Sequence, residues 1–391
     1  MQLPEFIYGL NAMIVDSTAL PEHAVRDIVN GAFRSAGQRC SALRCLYVQE
    51  DIADKLLKML KGAMNELTIG DPWLLSTDVG PVIDAAAHKT IADHIAVAHA
   101  EGRVIHQLNV PTEGHFIPPT AIRVTSIADM KREIFGPVLH VATFKSDELD
   151  AVIDTINATG YGLTFGLHSR IDDRVQTVVE RVQAGNIYVN RDQIGAIVGS
   201  QPFGGEGLSG TGPKAGGPYY LPRFSAHPAP KTDDFWSGGS DAKALAKRLA
   251  AAKMPAHGEP VDLPGPTGES NRHGTHARGP VLCMGPGAKA AQEQVAAIAA
   301  LGGVGISAEG DLAPDALTTL EPLAGVIWWG DADTGRAIET ALSKRDGPIT
   351  ALVTDMPDTA HALHERHVCI DTTAAGGNAA LLAEVGGAAS A

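Results

Sequence analysis

Residues 138–190 read VLHVATFKSDELDAVIDTINATGYGLTFGLHSRIDDRVQTVVERVQAGNIYVN, and they decide the fold. Val138 to Phe144 is an apolar run of strand length. Leu149 to Ala158 carries apolar residues at helical spacing until Gly160 closes it. The cycle then repeats with a strand at Leu163 to His168, a helix at Asp172 to Gln183 ended by Gly185, and a strand at Asn186 to Asn190. Strand–helix–strand units in succession predict an α/β protein with a mainly parallel sheet and helices on its faces.

The same alternation extends outward. Pro21 to Phe33 opens with a proline in the first turn and sets Val25, Ile28 and Val29 on one face, which predicts a helix. Leu43 to Val48 reads as a strand. Asp51 to Leu67 spaces Ile52, Leu56, Leu60, Met64 and Leu67 as an amphipathic helix, and Ala85 to Glu101 predicts another that stops at Gly102. Toward the other end, the glycine-rich stretch Gly195 to Gly217 is too long for a simple connector, and loops of that size usually carry function.

The composition shifts near Ser225, so residues 1–225 form the first expected domain. Residues 226–279 are rich in Pro and Gly and read as a linker around a short helix at Ala242 to Ala252. A smaller Rossmann-like α/β domain is expected over 280–371. Its strands are Val281 to Met284, Val304 to Ser307, Gly325 to Trp329, Ile349 to Thr354 and Val368 to Ile370, and its helices Ala288 to Leu301 and Asp333 to Lys344. The Ala/Gly-rich tail 372–391 is expected to be extended, or partly disordered if nothing docks it.

With 391 residues the chain has room for two or three domains. Its formal net charge of −14 argues against nucleic acid or an anionic membrane surface as partner. Cys40, Cys45, Cys283 and Cys369 show no C-x-x-C spacing. They read as reduced thiols, neither a disulfide framework nor a zinc site. No apolar run is long enough to span a bilayer and the first residues lack a signal pattern, so a cytoplasmic protein is expected.

Chemistry concentrates at Ser35-Ala36-Gly37-Gln38-Arg39-Cys40-Ser41. A thiol acts as nucleophile when its thiolate is drawn out, and a helix end, a cation such as Arg39 and partial exposure are features that do so. The competing reading is a buried structural cysteine. Further segments follow in order: Gly9-Leu10-Asn11 before Cys40, then Thr77-Asp78-Val79-Gly80-Pro81, Gly114-His115-Phe116-Ile117-Pro118-Pro119-Thr120, Glu133-Ile134-Phe135-Gly136-Pro137 and Pro202-Phe203-Gly204-Gly205. This series resembles the catalytic half of the NAD(P)-dependent aldehyde dehydrogenases. Residues 201–218, together with Leu263-Pro264-Gly265-Pro266-Thr267-Gly268-Glu269 and Thr373-Ala374-Ala375-Gly376-Gly377-Asn378-Ala379, narrow it. They resemble the L-glutamate γ-semialdehyde dehydrogenase part of the bifunctional proline utilization A family.

That resemblance implies an aldehyde dehydrogenase catalytic domain followed by the smaller α/β domain. It also implies NAD-dependent oxidation of L-glutamate γ-semialdehyde to glutamate. Cys40 is then the nucleophile, Glu133 the residue that holds the nicotinamide ribose hydroxyls and Phe135 a ring packed on the cofactor. Gly195 and Ala196 match a loop whose backbone N–H groups bind the substrate carboxylate. Ser41 matches a hydroxyl beside the nucleophile, Phe203 a ring on the aliphatic chain, and Arg39 a further substrate-side residue. A turn-bonding serine and a core-packing phenylalanine are the plain readings of Ser41 and Phe203.

Departures are large. Phe6 stands where the family's water-activating glutamate belongs, and nothing matches the upstream dinucleotide-binding domain or the oxyanion-hole asparagine. The chain is therefore expected to be truncated at its N-terminal side and inactive alone, associating with itself or with a missing half. A non-catalytic assembly or lid module is the alternative. A cofactor-free acyl-transfer enzyme is disfavoured because no histidine–carboxylate pair stands beside Cys40. His361-x-x-His364-x-x-His367 drifts around a helix and reads as an exposed polar stretch, so no metal is expected. Gly285-Pro286-Gly287 echoes a nucleotide loop, but reads as a plain strand–helix turn.

Overall fold

The computed structural model describes residues 9–230, 232–256 and 258–373. Its elements begin with β1 (Ala12–Val15), α1 (Pro21–Phe33), β2 (Cys45–Gln49), α2 (Glu50–Asn65) and α3 (Ala85–Ala100). They continue through β3 (Val104–Gln107), β4 (Thr120–Arg123), β5 (Val138–Phe144), α4 (Leu149–Asn157), β6 (Tyr161–Gly162), β7 (Thr164–His168), α5 (Asp172–Arg181) and β8 (Asn186–Val189). After them come β9 (Glu206–Gly207), α6 (Ala242–Ala250), β10 (Val261–Leu263), β11 (Glu269–Ala277), β12 (Val281–Cys283) and α7 (Ala288–Ala300). The series closes with β13 (Gly305–Ser307), β14 (Gly325–Ile327), α8 (Ala332–Leu342), β15 (Ala351–Val353), α9 (Thr359–Ala362) and β16 (Leu363–Asp371). Two compact units result. Among the described residues one comprises 9–201, 262–272 and 367–373, the other those within 202–261 and 273–366.

In the first unit the large sheet runs β10-β11-β16-β8-β7-β1-β2-β5-β4-β3. β1 lies at its centre, parallel to β2 on one side and to β7 on the other, and β3 closes one edge antiparallel to β4. Alternation along the strands explains why both faces are covered. Met13, Val15, Leu46 and Val48 point into a core with Ile28, Leu56, Leu60 and Met64 of α1 and α2. Ala12, Ile14, Cys45 and Tyr47 point the other way, among residues of α4 and α5 such as Ile153 and Val178. Leu56, Leu60 and Met64 recur every fourth residue and are fully buried, each such side chain contributing about 1.5–3 kcal/mol.

The second unit carries a four-stranded parallel sheet of order β13-β12-β14-β15 with helical crossovers, the start of a doubly wound arrangement. Two residues beyond β12 stands Gly285, whose φ of +92° suits only glycine without strain, and α7 begins after Gly287. The Asp234 carboxylate accepts the backbone N–H of Lys289 at 2.7 Å, so the N-terminus of α7 is capped by the chain itself. The plain-turn reading of Gly285 to Gly287 agrees with this geometry.

Three expectations are corrected. The Pro/Gly-rich stretch 226–279, read as a linker, contains β10 and the nine-residue β11. Strand Val368 to Ile370, assigned to the smaller domain, belongs to β16 and pairs with β8 of the large sheet, His367 opposite Asn186 and Ile370 opposite Val189. His361, His364 and His367 are not an exposed stretch: His364 and His367 lie on β16, and His367 is fully buried. The tail from residue 374, with most of the motif beginning at Thr373, lies outside the described residues, as does Phe6. Among the described residues no helix is long and apolar enough to cross a membrane.

Candidate functional site

Cys40 follows α1 across a turn of unusual backbone. Ser35, Ala36 and Gly37 all have positive φ (57°, 52° and 66°), a left-handed run that non-glycine residues enter only under strain. Surrounding contacts hold the turn. The Gln38 side chain donates to the Ser35 and Pro81 carbonyls at 3.3 Å each, and accepts the Ile83 N–H at 2.8 Å. Asn11 donates through one nitrogen to the carbonyls of Cys40 (2.7 Å) and Ala42 (2.9 Å), while its oxygen takes the Thr164 N–H at 3.2 Å. Asn11, the residue just before β1, therefore fixes the backbone on which the thiol sits.

Of the four cysteines, Cys40 alone is partly exposed; Cys45, Cys283 and Cys369 are buried. Burial pushes the Cys40 thiol up from its ordinary value. The Ser41 and Cys40 backbone N–H groups pull it down, Glu133 adds a push upward and Arg44 a pull downward. The cation acting on the thiol is thus Arg44. Arg39, expected in that role, turns its Nε to the Ser35 hydroxyl at 3.0 Å. Ser41 is buried, and its carbonyl accepts from Thr164 Oγ1 and Gln193 Nε2 at 3.3 Å each.

Glu133 is buried and both of its oxygens are engaged. Oε1 accepts from Arg44 Nε at 2.8 Å, and Oε2 accepts the Gly9 N–H at 2.9 Å. Burial pushes this carboxyl up, opposed by Arg44 and Gly9. Phe135, two residues on, keeps 38% of its surface exposed. It lines a cleft of about 520 Å³ together with Glu133, Ile91, Thr90, Asp84 and Tyr161. An exposed aromatic ring suits a flat heterocycle, and a carboxylate beside it can accept from ribose hydroxyls once they displace the Gly9 N–H from Glu133 Oε2.

The loop containing Gly195 and Ala196 is built for close approach. Gly195 has φ of +78° and open space where a Cβ would stand. Both ends of this loop are tied to one residue: Glu269 of β11 pairs with Arg191 and accepts from Gln201 Nε2 at 2.9 Å, with Asn271 steadying it at 2.8 Å. Sequence reading assigned Glu269 no role. Phe203 belongs to the second unit, where its N–H and carbonyl pair with Ala215 at 3.0 and 2.8 Å.

Two residues that matter here were not singled out from sequence: Arg44 and Glu269. Each pairs with a residue far along the chain, so no local spacing marks them; Glu269 was quoted only inside a family motif. Among the described residues no group of three histidines, cysteines or carboxylates could hold a metal ion.

Comparison with known proteins shows what the chain is similar to. The aldehyde dehydrogenase family model matches residues 7–227. The bifunctional protein PutA of Rhizobium meliloti is 41% identical over 96% of this chain and 34% of its own length, and that of Escherichia coli K12 is 40% identical over 96% and 33%. A 1-pyrroline-5-carboxylate dehydrogenase of Bacillus thuringiensis is 40% identical over 54% of the chain and 42% of its own. A crystal structure of a mutant proline utilization A from Bradyrhizobium japonicum superposes with a TM-score of 0.54 at 55% identity, covering 56% of this chain and 22% of that one. The chain spans about a third of the length of the PutA relatives it matches.

Proposed function

We propose, from the premise that this chain belongs to the aldehyde dehydrogenase family, that its first unit carries the nucleophile and part of the cofactor site of an L-glutamate γ-semialdehyde dehydrogenase of proline catabolism. The observation that supports it most is the joining of Cys40, the one partly exposed cysteine, to the Glu133–Phe135 segment through Arg44. The Cys40 thiolate attacks the aldehyde carbon, forming a C–S bond and an oxyanion that the Cys40 backbone N–H is suited to stabilise. Gly195 and Ala196 offer backbone N–H groups to the substrate carboxylate, and Ser41 stands next to the nucleophile in the chain. Arg39 precedes the nucleophile, its Nε held by the Ser35 hydroxyl.

Phe135 would pack on a bound NAD and Glu133 would take its ribose hydroxyls. When bound, NAD supplies the acceptor for the hydride lost from the carbon, which leaves a thioester on Cys40. Hydrolysis of that thioester needs a base, and no described carboxylate or histidine hydrogen-bonds to Cys40. We therefore expect this chain, by itself, to stop before turnover, with the base supplied by a missing half.

The test is NADH formation by the purified chain with L-glutamate γ-semialdehyde, beside Cys40→Ser, with iodoacetamide labelling of Cys40 run in parallel. Substrate protection of Cys40 without steady NADH production is expected. Steady turnover lost in Cys40→Ser would overturn the inactivity while supporting the assignment. Neither protection nor turnover would leave the alternative, an assembly or lid module without chemistry.

A further inference from the structure

We propose that Arg44 is a positioning residue that sets the spacing between the nucleophile and the cofactor-side segment; the inference rests on the reading of Cys40 and Glu133 given above. Arg44 is fully buried although it is among the largest and most polar of side chains. Its guanidinium uses three different nitrogens on three different partners. Nε donates to Glu133 Oε1 at 2.8 Å, one terminal nitrogen to the Gly136 carbonyl at 3.2 Å, and the other to the Arg39 carbonyl at 3.2 Å. The Phe135 ring lies 5.0 Å from the guanidinium carbon. One planar group thus bridges the peptide before Cys40 and the segment from Glu133 to Gly136.

The base of Arg44 is fixed as firmly as its tip. Its carbonyl accepts both the backbone N–H of His140, at 2.9 Å, and His140 Nδ1, at 3.1 Å. A carbonyl only accepts, so Nδ1 carries the proton and His140 Nε2 is bare. The Nε2 of His94, 2.9 Å away, must then be the donor. The order of donation runs from His94 to His140 to the Arg44 carbonyl. Lysine could not replace this residue in kind, because an ammonium is a point charge without the planar fork that meets three acceptors at once.

This role differs from plain structural support in what it predicts for the thiol. A residue that merely fills the core would, when removed, loosen everything around it. A tether between two loops should, when cut, free Cys40 while Cys45, at the start of the adjacent strand, stays closed.

The experiment is iodoacetamide labelling of the intact chain across pH, followed by mass spectrometry of the separate cysteine peptides. In Arg44→Met/Glu133→Gln, where both charges leave together, the high-pH plateau of the Cys40 labelling rate should rise at least about threefold, with Cys45 unlabelled. Glu133→Gln alone keeps the bonds from Arg44 to Gly136 and Arg39. It should leave the plateau near that of the parent and move the midpoint to lower pH, because Glu133 is the charge that raises the thiol. If the double variant fails to fold by near-ultraviolet circular dichroism, Arg44→Lys decides by the same plateau criterion.

An unchanged plateau in the folded double variant, or in Arg44→Lys where that variant decides, would overturn the proposal, as would labelling of Cys40 and Cys45 rising together. Labelling does not depend on turnover, so a chain without dehydrogenase chemistry can still pass or fail this test.

Discussion

Gly37 faces the carbonyl of Gly136 so closely that a Cβ on Gly37 would stand 2.1 Å from that oxygen. The turn before the nucleophile and the segment after Phe135 are therefore in backbone contact, and Gly37 also sits at φ of +66°. Gly37→Ala meets a steric clash and a left-handed conformation together. It should destabilise the chain by at least about 2 kcal/mol, read from the midpoint of urea unfolding. A Gly37→Ala midpoint equal to that of the parent would mean the two segments part easily.

Cysteine labelling offers a second check. Only Cys40 is accessible, and burial raises its thiol above the ordinary range, so native labelling should give one adduct, absent in Cys40→Ser. Its rate should climb only on the alkaline side. Rapid labelling in neutral solution would show a thiolate stabilised by groups not seen around it.

Glu269 holds both ends of the loop bearing Gly195 and Ala196. Glu269→Ala leaves the half-buried Arg191 guanidinium without its carboxylate and Gln201 without its acceptor. A loss of about 1–3 kcal/mol is expected, with faster amide hydrogen exchange confined to residues between 191 and 201. Exchange unchanged in that loop would refute the clamp.

Acid should weaken the fold in a defined window. Burial lowers His140 and His168 to about 3. Between their unfolded value near 6.5 and that folded value, the unfolded chain binds more protons. Stability is thus present above about pH 6.5 and falls as the pH drops, by up to about 1.4 kcal/mol per pH unit for each histidine. Asp27, raised to about 6 by burial, acts oppositely and offsets part of the loss between about pH 6 and 4. Urea midpoints across this range would check the slope, and a His140→Gln chain should show a shallower one.

Helices were the most legible part of the sequence, because a row such as Leu56, Leu60 and Met64 announces both the element and its buried face. Strand β1 was missed: four buried apolar residues in a row fit a strand and a helix fragment equally, and only its neighbours β2 and β7 decide. Strand β11 was missed for the opposite reason. Its sequence ESNRHGTHA is polar, since residues such as Glu269 and Asn271 serve hydrogen bonds rather than a core. That β16 joins the large sheet is a matter of distant pairing that no local pattern encodes. At the site, Cys40, Glu133 and Phe135 were readable through motifs. Arg44 was not, because its partner lies 89 positions further along the chain.

The carboxylate of Asp234 at the head of α7 bears on how any binding curve for this chain should be read. Where a doubly wound unit would ordinarily seat a phosphate, the protein has already placed an anion of its own. A titrated dinucleotide would have to evict a covalently attached competitor whose local concentration never falls. Replacing Asp234 with alanine would vacate that seat, so a phosphate that binds only the variant reports on the head of α7.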